Sequence, residues 1–141
     1  MAAGVRPIVR LFFPCDAITP DPTDGKWVVK NPWHTVQMPP GVSRKFGQEE
    51  ILFYSQLTNG LGEFSLGVVM QAYGGSVVFG QSKPEKRTFT TAGRLEVVEV
   101  KFEMTQVPFP KPDLYVFRLI AGGVELEGGI AYLRVVAGEP T

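Results

Sequence analysis

The chain has 141 residues, with 44% hydrophobic and 20% charged, the size and composition of one globular domain. Fourteen basic residues balance fourteen acidic ones, so no overall field concentrates nucleic acid or an anionic membrane, and neither is expected as a partner. A single cysteine, Cys15, excludes an intrachain disulfide and fits a reducing, cytoplasmic compartment.

Met1 to Pro7 lacks the basic start and apolar stretch of a signal peptide, and no apolar run approaches the roughly 18–20 residues of a membrane span. Sixteen glycines and twelve prolines, spread along the length, suit short strands joined by turns better than helices. Residues 1–141 therefore read as one all-β domain. Arg6 to Phe13 and Lys26 to Val36 are the first two strands, with Pro14 to Gly25 a crossover between them. Met38 to Gln48 is a second crossover, and Val42 to Glu50 reads as a loop because Gly47 interrupts its weak helical pattern.

Strands then follow in close order. Ile51, Phe53 and Leu57 form one apolar stripe, and Phe64, Leu66, Val68, Met70 and Ala72 another. Asn59-Gly60 between them has the chemistry of a tight hairpin. Gly74-Gly75 leads into a strand over Ser76 to Gln81, and Lys83, Lys86 and Arg87 around Pro84 read as a solvated basic loop. The clearest strand holds Val98, Val100, Phe102 and Met104 in one parity, with Glu99, Lys101 and Glu103 in the other.

Tyr115, Phe117 and Leu119 alternate with Val116, Arg118 and Ile120, apolar on one face and only partly polar on the other, which predicts a central strand. Gly122-Gly123 is a third hairpin, and the parity switch across Gly128-Gly129 predicts a β-bulge or one more hairpin. About eight strands joined by hairpins predict a two-sheet antiparallel sandwich; a closed β-barrel is the competing architecture.

Candidate chemistry is sparse. His34 is the single histidine, so a metal or catalytic constellation reduces to Cys15, Asp16 and His34, whose spacing matches no ligand pattern. Nucleophile-elbow, P-loop and dinucleotide fingerprints are absent. The paired acids Glu49-Glu50, Glu125/Glu127 and Asp21/Asp24 read as ordinary solvated surface. The chain is read as no enzyme and as needing no cofactor. Trp27, Trp33 and His34 are the candidate contacts for a ligand or partner, since aromatic rings desolvate and stack well.

Three segments together, Leu11-Phe12-Phe13-Pro14-Cys15-Asp16, Asp24-Gly25-Lys26-Trp27, and Val107-Pro108-Phe109-Pro110 followed by Asp113-Leu114-Tyr115-Val116-Phe117, resemble a family of uncharacterised bacterial β-sandwich proteins. The resemblance implies a sandwich in a bacterial cytoplasm and brings no activity with it. The resulting expectation is a non-catalytic module for protein–protein interaction or self-assembly. A small-ligand or carbohydrate binder using Trp27 and Trp33 is the alternative.

Overall fold

The computed structural model describes residues 4–32, 35–38, 46–75, 78–90, 96–109 and 113–137. Alternating apolar residues build ten strands among them: β1 Ile8–Pro20, β2 Trp27–Pro32, β3 Thr35–Met38, β4 Phe46–Thr58, β5 Gly62–Ala72, β6 Val78–Gln81, β7 Glu85–Phe89, β8 Val98–Phe109, β9 Asp113–Ala121 and β10 Val124–Ala137. One sheet runs β2-β1-β4-β8. The other runs β3-β10-β9-β5-β6, with β7 also pairing β5. The architecture is the expected two-sheet sandwich, open at its edges; all pairs are antiparallel except β3 with β10, which is parallel.

The two inner faces meet in one core. Phe12, Phe53, Phe102 and Met104 come from the four-stranded sheet, and Leu66, Met70, Phe117, Leu119 and Leu133 from the six-stranded one. Phe53 has Phe12 beside it at 5.5 Å between ring centroids and Phe117 across the sandwich at 4.8 Å. Ser55 shares the inward parity of Phe53 and Leu57 and is fully buried; its hydroxyl donates to the Val100 carbonyl at 2.7 Å, which removes the cost of burying it.

Several expectations are corrected. Asn59-Gly60 makes no hairpin: β4 and β5 belong to different sheets, so this turn, with Asn59 at φ 64°, carries the chain across the sandwich. Mutual backbone hydrogen bonds between Val5 and Leu61, at 2.7 and 2.8 Å, fix the crossing. Pro14 to Pro20 is strand, not crossover. Pro14 pairs with Phe53 of β4, one residue before the stretch from Cys15 to Pro20 that β2 joins. The true β1–β2 turn is closed by the Asp21 N–H on the Lys26 carbonyl and the Gly25 N–H on the Asp21 carbonyl.

Lys26 to Val36 is not one strand, because β2, which ends at Pro32 just after Asn31 at φ 52°, and β3 lie in different sheets. Phe46 to Glu50 extends β4 against β8 through two register shifts that absorb the irregular Gly47 region; residues 42–45 lie outside the described residues. Glu85 to Phe89 is a strand, β7, where a loop was expected. It is held by the β5 ladder from Gly62 to Leu66, with Phe89 buried at its end.

Other turns follow their local chemistry. Gly122 and Gly123 both take left-handed φ, 58° and 82°, which a two-residue hairpin with type I′ twist requires, and they join β9 to β10. Gly74 lies in the β5–β6 turn, as expected. The parity switch in β10 is a bulge between Glu125 and Ile130 within a single strand. Its Gly128, at φ 77°, lies over the Val9 carbonyl so closely that a Cβ there would sit 2.5 Å from the oxygen. β9 is central, flanked by β10 and β5, and its Val116 is buried although it faces away from the core stripe.

Candidate functional site

Outside the core, side chains gather on two outer faces. On the four-stranded sheet a second, smaller apolar cluster gathers Cys15, Ile18 and Tyr54, with Phe13, Trp27, Val29 and Leu52 packed on it. Trp27 meets Tyr54 edge-on at 6.4 Å, and the Lys101 ammonium stands 6.0 Å from the Trp27 ring. The Tyr54 hydroxyl donates to the Glu99 carboxylate and accepts from Gln56 Nε2 at 2.7 Å. Burial, together with the Glu99 hydrogen bond, raises the Tyr54 pKa.

Trp27 is thus half-buried, closing over this cluster. Trp33 and His34 lie outside the described residues. Cys15 is buried, and desolvation, reinforced by the Asp16 charge and partly opposed by a backbone hydrogen bond from Ala17, pushes its thiol up to about 11. At neutral pH it is protonated, the opposite of what an activated nucleophile needs. Asp16 accepts from Asn31 Nδ2 at 2.9 Å. Among the described residues no three His, Cys, Asp or Glu side chains gather in a group able to hold a metal ion.

The outer face of the six-stranded sheet is different. Residues of the second parity in β5, β9 and β10 stand in rows set by the ladder: Val69, Arg118 and Ile130 in one, Gln71, Val116 and Tyr132 in the next, and Gly67, Ile120 and Glu125 in a third. Tyr73, just past β5, is 64% exposed, Tyr132 51% and Ile130 42%. The two tyrosine rings lie 6.4 Å apart. Arg118 is held in the middle, its Nε donating to Gln71 Oε1 at 3.2 Å and its Nη1 facing Glu125 Oε2 at 3.4 Å.

At the hairpin end of this face lies a shallow groove of about 220 Å³, lined by Gly67, Val69, Ile120, Gly122 and Pro84 among others. Gly67 leaves it open; a Cβ there would meet only Ser82 Oγ, at 3.7 Å. The Ser82 hydroxyl and N–H bond the Val68 backbone, which ties the link between β6 and β7 to the sheet. Neither tyrosine figured among the sequence candidates. The available signal was the outward parity of β9, where Val116 and Ile120 are too apolar for a face meant only for water.

No family model and no curated protein matches the chain. Among solved structures it is similar to the apo form of the Calx CBD1 domain, at 16% identity over 75% of this chain and 90% of that one, with a TM-score of 0.29.

Proposed function

We propose that this chain is a non-catalytic β-sandwich module that docks a protein through the outer face of its six-stranded sheet. The observation that carries the reading is the set of exposed apolar side chains, Tyr73, Ile130 and Tyr132, around a pre-positioned Arg118. Tyrosine and arginine are the residue types that supply binding energy at protein interfaces, and here the guanidinium is already oriented before any partner arrives. The single buried thiol is compatible with work in a reducing bacterial cytoplasm, the setting that the family resemblance implies.

Site-specific photo-cross-linking tests this reading. With a photoreactive residue in place of Tyr132, irradiation in source-cell extract is expected to give a discrete protein adduct. The same residue in place of Lys101, on the opposite outer face, is expected to give none. Absence of an adduct at 132, or equal yields at both positions, overturns it.

A further inference from the structure

We infer that the occupant of this face is a second copy of the same chain, seated by a two-fold axis that crosses the strands at the level of Phe117. The inference rests on the docking reading above and adds the partner's identity. Its basis is the register. The Tyr73 N–H donates to the Leu114 carbonyl at 2.8 Å, so Tyr73 stands level with Leu114, as does Arg134; Gly67 and Glu125 both stand level with Ile120. Ile130 is level with Arg118, and Tyr132 with Val116.

Phe117 lies midway between Leu114 and Ile120. An axis across the strands at that level reverses strand direction and sets each strand opposite its own copy. Tyr73 of one copy then faces the groove over Gly67 of the other, Arg134 faces Glu125, and Ile130 faces Tyr132. One operation thereby matches a protruding ring with a hollow, a cation with an anion, and an apolar side chain with a ring. Such self-complementarity is what an isologous interface demands. The balance of fourteen basic against fourteen acidic residues leaves no net repulsion between copies.

Sedimentation equilibrium across the micromolar range tests the assignment. The native chain is expected to form a reversible dimer, and Tyr73→Ala and Gly67→Leu are each expected to raise its Kd about tenfold or more, one by emptying the hollow and the other by filling it. Mixing the two variants is expected to restore dimer. In the mixed pair one contact is native and the other sets the added leucine against the missing ring.

Circular dichroism confirms that each variant is folded; should Gly67→Leu fail to fold, Tyr73→Ala with the smaller Gly67→Ala decides the question. A monomeric native chain, a dimer indifferent to both substitutions, or a mixture that does not recover would overturn the inference. A monomer that still cross-links another protein from position 132 leaves the docking reading standing and removes only the second copy as occupant.

Discussion

The ring of Phe53 on β4 meets that of Phe117 on β9 at 4.8 Å, and both side chains are fully buried, so this pair joins the two sheets at the centre of the core. Phe53→Ala is expected to destabilise the fold by about 3–5 kcal/mol, through lost transfer energy and the cavity left between Phe12 and Phe117. Urea unfolding followed by circular dichroism measures it; a loss under 1 kcal/mol, on the order of a surface change, would contradict this packing.

Gly128 and Gly74 share φ 77° but not their surroundings. A Cβ at Gly74 meets nothing within 4 Å, whereas at Gly128 it meets the Val9 carbonyl. Gly74→Ala is expected to cost about 1–2 kcal/mol from backbone strain alone. Gly128→Ala adds a backbone clash and is expected to cost about 2–5 kcal/mol. Equal shifts in the unfolding midpoint of the two variants would argue against close contact between the β10 bulge and β1.

The Cys15 thiol titrates higher in the folded chain, about 11, than its usual 9.0. The native state therefore holds this proton more tightly than the unfolded state does. The resulting stabilisation is complete below about pH 9 and is lost as pH rises from there through about 11. Cys15→Ala is expected to flatten the alkaline decline in stability, leaving the part that Tyr54, also raised, contributes. In the native protein a thiol-specific reagent at neutral pH is expected to react only at the rate of unfolding.

Trp27→Ala is expected to cost about 1–3 kcal/mol, because the half-buried ring covers the Cys15 and Tyr54 cluster. The same substitution should leave any dimer constant unchanged, since Trp27 stands on the other sheet. Paired measurements of unfolding and sedimentation on one sample check both expectations.

Much of the fold was legible where a strand has one wet face. Val100, Phe102 and Met104 are buried, and Glu99 and Lys101 are exposed, as their alternation indicates. Gly122-Gly123 also declared its hairpin, because two adjacent left-handed residues have few other uses. Asn59-Gly60 shows where local reading stops: positive φ specifies a sharp turn, but not whether the next strand joins the same sheet or the opposite one. The candidate face was hidden for a similar reason. Tyr73 and Tyr132 lie 59 positions apart in the sequence, and only the β5–β9–β10 ladder brings them together.

Because the chain crosses the sandwich between β4 and β5, and β3 also lies in the other sheet, β4 has no neighbour in chain order to pair with. Local hairpins, β1–β2 in the four-stranded sheet and β5–β6 and β9–β10 in the six-stranded one, can close within microseconds of collapse. In the four-stranded sheet β4 must find β1 upstream and then wait for β8, which begins only at Val98. During synthesis the flank of β4 therefore emerges from the ribosome well before the strand that seals it. For that interval Ile51 to Leu57 is an open, apolar edge, and this is the segment of a nascent chain that a chaperone would be expected to cover.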